Sequence, residues 1–273
     1  MQRRRSDESL HSEVKASFSF TFTFTFTFTF YVYVYELPIY LAVTLGPLTP
    51  HFDRAARRYD LLCALNPGYR KHLAWSARRM ALAGRPRVLD LCCGTGLSTA
   101  ALVRTYPSAD VVAVDASAEM LAVARAKPEL AAVRFARGDA MDPAAAGASG
   151  PFDGVLMAYG IRNVPDPDVC LGRICAALAP GGAACFHEYS LDGSRRARAI
   201  WRAVSTGVII PLGAAATGSG ELFRYLRESV LEFDGARAFE DRLRRAGFDR
   251  VVTEGMDGWQ RGIVHSFLAR RPP

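Results

Sequence analysis

From residue 51 onward the chain alternates short apolar runs with longer stretches of helical period, and no other feature restricts its fold as tightly. A brief buried strand, a helix and another brief strand form a crossover, and repeated crossovers build a parallel sheet covered by helices on both faces. Val88-Leu89-Asp90-Leu91 is the first run, followed by Gly94-Thr95-Gly96 and a helical stretch through Tyr106. Val111 to Val114 is the second, closed by Asp115 and followed by a helix from Ala118 to Lys127. Val133-Arg134-Phe135 leads into Gly138-Asp139-Ala140, and Gly154 to Met157 forms a fourth strand. A helix from Val169 to Leu178, a turn at Pro180-Gly181-Gly182 and a strand from Ala183 to Phe186 follow. The expected class is α/β, with a doubly wound, mostly parallel sheet.

The first 50 residues follow different rules. Ser-Phe and Thr-Phe pairs fill residues 17–30, and Tyr31-Val32-Tyr33-Val34-Tyr35 continues the alternation. Alternation is the strand period, yet one strand of that length would run about 60 Å, against a usual ~17–20 Å. A membrane-adhesive tail, an edge strand and translated repetitive DNA upstream of the true start are the three readings, and the third is favoured. Residues 1–50 are accordingly expected to be a disordered or non-native extension, and residues 51–273 to form the working domain.

Composition narrows the function. Half of the 273 residues are hydrophobic and 22% are charged, enough apolar content for a full core. The six cysteines form no C-x-x-C pair and the five histidines are scattered, so reduced thiols in a cytoplasmic protein are expected, with no metal site. The net charge of +7 raises the question of nucleic acid. The basic residues are spread along the chain rather than run together with stacking aromatics, and no nucleic-acid partner is expected.

In open α/β sheets ligands sit beyond the carboxyl ends of the strands. Those positions hold Gly94 to Gly96, Asp115, Asp139-Ala140, Tyr159-Gly160 and Glu188-Tyr189. Gly94 and Gly96 allow a tight turn and close backbone approach. The third glycine of a dinucleotide fingerprint is Thr99 here, and Asp90 would repel a pyrophosphate while attracting an amino group. Asp115 suits a ribose diol, and Asp139-Ala140 offers a carboxylate and an amide to an adenine edge. Any one of these aspartates alone reads as a helix cap or turn former; at the ends of successive strands they imply S-adenosylmethionine.

With these residues in place the sequence resembles the class I methyltransferases, and more narrowly the ubiquinone/menaquinone-biosynthesis C-methyltransferase family. Phe52-Asp53, Tyr59-Asp60, Val88 to Gly96, Val114 to Ser117 with Met120-Leu121, Gly138 to Ala140, Pro180 to Gly182 and Ala246 to Phe248 carry the resemblance. The narrowest carriers are Tyr159-Gly160-Ile161-Arg162-Asn163-Val164, Glu188-Tyr189-Ser190 and Tyr225-Leu226-x-Glu228-Ser229. The resemblance implies a seven-stranded Rossmann-like sheet and cofactor contacts at Thr99, Asp115, Asp139 and Ala140. It also implies substrate or proton-transfer roles for Arg162 and Asn163, and methylation of a prenylated quinol. The chain departs from the family at Leu97, where an acidic residue is usual, at Ala158, where serine is common, and through residues 258–267. Another small aromatic or specialised-metabolite acceptor, and a fold that binds the cofactor without transferring methyl, therefore stay open.

Arg162 is placed to stabilise a ring oxyanion with a directional cationic fork. Glu188 is a candidate base, and if it faces the cleft His187 faces away. Tyr59, Tyr159, Tyr225 and His265 are substrate candidates, with Ile263, His265 and Phe267 expected on one strand face. Residues 191–230 are long for a connection and are expected to form a helical lid, with helices near Ile200–Ile210 and Glu221–Leu231. Residues 54–79 carry Arg54, Arg57, Arg58, Arg70, Lys71, Arg78 and Arg79 against Asp60, a helical arm that could dock peripherally on anionic lipid. The oligomeric state is not legible in the sequence.

Overall fold

A computed structural model describes residues 48–191 and 193–273. The expectations for residues 1–47 lie outside it. Helices α1 (Thr49–Ala64) and α2 (Tyr69–Arg79) precede the sheet. Then come β1 (Arg87–Leu91), α3 (Leu97–Thr105), β2 (Asp110–Asp115), α4 (Ala118–Arg125), β3 (Arg134–Arg137) and β4 (Phe152–Ala158). These lead to α5 (Pro167–Ala177) and β5 (Leu178–Tyr189). Helices α6 (Arg195–Val204), α7 (Ile210–Thr217) and α8 (Glu221–Glu232) follow, α6 running into α7 through a π-turn at Ser205–Ile209. The chain closes with α9 (Ala236–Arg245), β6 (Asp249–Gly255) and β7 (Val264–Arg270).

The seven strands lie in the order β3-β2-β1-β4-β5-β7-β6, the first five parallel and β7 antiparallel to both neighbours. The reversal between β1 and β4 is the switch point at which doubly wound sheets bind ligands. Alternation in β1 sorts its side chains. Leu89 and Leu91 enter a core shared with Val155, Phe186, Phe239 and Phe267 on one face, while Val88 joins Leu73, Ala77, Met80 and Leu102 on the other. Asp90 shares the Val88 face, which turns it toward α3.

The expected turn at Pro180-Gly181-Gly182 lies inside β5. Pairing with β4 jumps from Phe152↔Leu178 to Gly154↔Ala183, a bulge that takes up the extra residues. Gly181 sits at φ +75° there, and a Cβ on Gly182 would come within 2.8 Å of the Ala179 carbonyl. The last strand also differs from expectation, because β7 begins at Val264 and leaves Ile263 in the preceding turn.

Candidate active site

The turn after β1 is built from left-handed residues. Cys92, Gly94 and Gly96 have φ of +60°, +54° and +83°. A Cβ on Gly96 would press to 2.7 Å on Leu130, whereas one on Gly94 would meet nothing within 4 Å. Gly96 is thus required by packing, and Gly94 leaves open space. Asp115 closes the turn, accepting from the Gly94 amide at 2.7 Å and the Ser117 amide at 2.9 Å. Burial raises its pKa against the pull of these amides.

Asp90 is fully buried. Its Oδ2 accepts from Ser98 at 2.9 Å and Thr99 at 2.5 Å, while Oδ1 is buried with no hydrogen-bond partner. Such an orphaned acceptor, beside a cavity of about 40 Å³ bordered by Gly94, Thr95, Leu97 and Ser98, fits a bound ammonium group. Thr99 spends its hydroxyl behind Asp90 and does not border that cavity. Asp139 is exposed and caps its own turn through the Met141 amide at 2.9 Å, and Ala140 packs against the core.

Burial lifts Asp90 to about 7. The native state therefore holds this proton more tightly than the unfolded chain does. The stability linked to this group is complete below the unfolded value of 3.8 and is lost as pH rises toward 7. Urea unfolding between pH 5 and 8 should show a steeper decline for the wild type than for Asp90→Asn; parallel profiles would contradict the assignment.

A second, larger cavity of about 370 Å³ adjoins the first. Its walls are mostly apolar and aromatic, and it includes three of the four substrate candidates, Tyr59, Tyr159 and Tyr225. His265 is not among the lining residues. It pairs in register with Glu188 and Gly255 and lies 5.9 Å, ring to ring, from Phe267. The departing C-terminal segment reaches the cavity instead through Trp259, whose indole donates to Asn66 at 3.1 Å. Tyr189, one of the strand-end positions, lines the cavity as its place predicts; Tyr69 and Trp259 escaped the sequence reading as wall residues, because partners so distant in the chain leave no spacing signal.

Arg162 follows β4 in a 3-10 turn and lines this cavity. Its guanidinium donates to Glu188 Oε1 and to Ser229 Oγ, both at 3.0 Å, and lies 5.7 Å from the Tyr189 ring centroid. Asn163 donates to the Tyr159 carbonyl at 3.1 Å and accepts from the Tyr225 hydroxyl at 3.1 Å. The two narrow sequence stretches, around Arg162-Asn163 and Tyr225–Ser229, are therefore halves of one hydrogen-bonded unit. Glu188 is fully buried, its pKa raised by desolvation against the opposing pull of Arg162, and its Oε2 has no partner. It does not itself line the cavity, whereas Arg162, to which it is paired, does. His187 does not line the cavity either; it backs the wall, its Nε2 meeting the Tyr159 hydroxyl at 3.0 Å and its Nδ1 meeting Ser76 at 2.8 Å. Desolvation lowers its pKa to about 3, so it stays neutral.

Helix α1 spans both cavities. Its Asp53 accepts from Ser117 at 2.5 Å, and its Asp60 accepts from Thr95 at 2.5 Å and pairs with Lys127. Its other face contributes Phe52, Tyr59, Leu62 and Cys63 to the larger cavity. No cluster of metal-ligating side chains occurs among the described residues.

Residues 48–269 match the ubiE/COQ5 methyltransferase family. The chain is 35% identical over 248 residues to a demethylmenaquinone methyltransferase of Parafrankia sp., covering 81% of this chain and 92% of that one. It is 34% identical to the ubiquinone/menaquinone biosynthesis C-methyltransferase UbiE of Syntrophotalea carbinolica, covering 79% and 90%. Among solved structures, phosphoethanolamine N-methyltransferase 2 of Haemonchus contortus in complex with S-adenosyl-L-methionine superposes with a TM-score of 0.59 at 18% identity. That match covers 81% of this chain but 57% of the solved one, and establishes the shared fold. With the switch-point cradle and the Arg162–Glu188–Ser229 unit in place, these matches settle the kinship: the chain belongs to the ubiE/COQ5 methyltransferase family.

Proposed function

We propose that the enzyme transfers the methyl group of S-adenosylmethionine to a ring carbon of a prenylated, hydroxylated quinol of the demethylmenaquinol type. The observation that carries this reading is Arg162, tethered by Glu188 and Ser229 in the wall of a mostly apolar cavity that abuts the glycine-turn cradle. When bound, the cofactor supplies an electrophilic methyl on a positively charged sulfur, and the carbon–sulfur electron pair stays on sulfur. The residues that would hold it are Asp90 for the ammonium end and Asp115 for the ribose, with Ala140 on the adenine side. Arg162 stabilises the ring oxygen once its hydroxyl proton has left to solvent, which raises electron density at the neighbouring carbon. That carbon forms the new bond, its ring proton passes to solvent as the ring regains aromaticity, and the ring oxygen takes a proton back, so that one proton is released in all. The aromatic walls exclude water and fix the ring in line with the methyl group. Incubation with methyl-labelled cofactor and demethylmenaquinol should give labelled menaquinol; label appearing solely on phenolic oxygens would overturn the C-methyl assignment.

A peripheral membrane contact belongs to the same proposal, shifted from where residues 54–79 place it. The basic arm is divided. In α2, Lys71 and His72 engage Asp257, and Arg79 engages Glu254 and the carbonyls of Val252 and Ser266. The exposed stripe of α1 runs from Arg54, Arg57 and Arg58 to Leu61 and Leu65, and the neighbouring 195–217 helix exposes Val208 and Leu212. These four apolar side chains are 45–58% exposed, and Leu65, Val208 and Leu212 also line the cavity. Such a rim suits a lipid-borne acceptor entering from an anionic surface. Flotation with anionic vesicles should recover the full chain and fail to recover Leu61→Glu; equal recovery of both would contradict this face. A reducing, cytoplasmic setting is part of the proposal and is supported by six unpaired thiols.

A further inference from the structure

The two cavities share two wall residues, Tyr59 of α1 and Tyr69 of α2. The smaller cavity borders the glycine turn and the larger borders Arg162; on the reading proposed above, the methyl group would pass from donor to acceptor where they meet. The Tyr69 ring stacks on Tyr159 at 5.5 Å with an 18° interplanar angle, and Tyr59 stands with it in the walls of both cavities. Together the two rings present an aromatic surface at the junction.

Three carboxylates occur around the glycine turn. Asp60 binds Thr95 and Lys127, Asp115 binds the turn amides, and Asp90 is fully buried with Oδ2 bound to Ser98 and Thr99. None of the three lines either cavity. A cation brought to the junction therefore meets electron-rich rings in place of a counter-charge. Attraction between a cation and a ring strengthens where water is excluded.

We infer that Tyr59 and Tyr69 form the recognition site for the sulfonium centre, binding the methyl donor in preference to its neutral thioether product. This rests on the cofactor assignment above. The charge on sulfur disappears on transfer, so the rings lose their hold as the product forms and favour exchange for fresh donor. The two tyrosines contribute a difference in affinity between two nucleosides that are otherwise nearly alike.

Calorimetry on the full chain tests this by measuring the dissociation constants of S-adenosylmethionine and S-adenosylhomocysteine side by side. Tyr59→Leu and Tyr69→Leu should each weaken the sulfonium ligand about tenfold, equivalent to about 1.4 kcal/mol, and the thioether less than about threefold. Tyr59→Phe and Tyr69→Phe should retain the wild-type ratio, because the ring remains. Leucine variants that weaken both ligands equally, or neither, would overturn the inference. A ligand-side comparison needs no variant: an analogue carrying a protonated amine in place of the sulfonium should bind wild type more tightly than the thioether, and parity would also overturn it. Binding of neither nucleoside by wild type would remove the cofactor assignment itself, a result distinct from an unchanged ratio.

Discussion

Replacing Arg162 by leucine is expected to lower stability by about 3–5 kcal/mol and turnover by at least about a hundredfold, while S-adenosylmethionine still binds. The stability loss arises because Glu188 is fully buried and its Oε1 is paired with Arg162 at 3.0 Å. Without the guanidinium, a carboxylate with one oxygen already unpartnered must stay buried uncompensated or take up a proton. The loss of turnover would arise separately: on the proposed mechanism, the cavity loses the cation that faces the ionised acceptor oxygen. The double variant Arg162→Leu with Glu188→Leu separates the two effects: it should recover much of the stability and none of the turnover. Urea unfolding, calorimetry and a methyl-transfer assay read the three quantities. Retained turnover in the single variant would remove Arg162 from the chemistry.

Much of this architecture is legible in the sequence, for a physical reason. Val88–Leu91, Val111–Val114 and Gly154–Met157 are strands buried on both faces, so each is announced by a continuous apolar run. The residues that end them, Asp115 and the Gly94–Gly96 turn, face the switch point because topology leaves them no other place. What the sequence does not show are pairings that spacing cannot encode. His72 meets Asp257 across 185 positions and Gln260 across 188, and this contact brings the 257–260 turn and Trp259 to the acceptor wall. Glu188 reads as a cleft residue by strand position, yet the guanidinium of Arg162 stands between it and the cavity. Alternation sets His187 on the opposite face from Glu188, but it cannot show that His187 meets the hydroxyl of Tyr159, a residue at φ +57°. The start of β5 is hidden because Pro180-Gly181-Gly182 has the composition of a turn while its backbone forms a bulge.

Asp115→Ala is expected to weaken cofactor binding by at least about a hundredfold. The carboxylate makes two charge-assisted bonds, to the Gly94 and Ser117 amides, each worth roughly 1.5–3 kcal/mol, and together they fix the shape of the cradle before any ligand arrives. Their loss frees the glycine turn and the start of α4 and, on the proposed cofactor assignment, removes the acceptor for the ribose hydroxyls. Asp115→Asn should be nearly as damaging, since an amide nitrogen turned toward either backbone N–H opposes one donor with another. Calorimetric titration reads both variants, and wild-type affinity in Asp115→Ala would move the ribose site elsewhere.

Helix α1 holds the donor loops through Asp53 and Asp60 and walls the acceptor cavity with Phe52, Tyr59 and Leu62. On the proposed reading one helix would thus touch both substrates. A shift of that helix on seating one would alter the fit of the other, and linkage would make the effect mutual: the factor by which donor changes acceptor affinity is the factor by which acceptor changes donor affinity. The two substrates would then be partners in a single binding equilibrium.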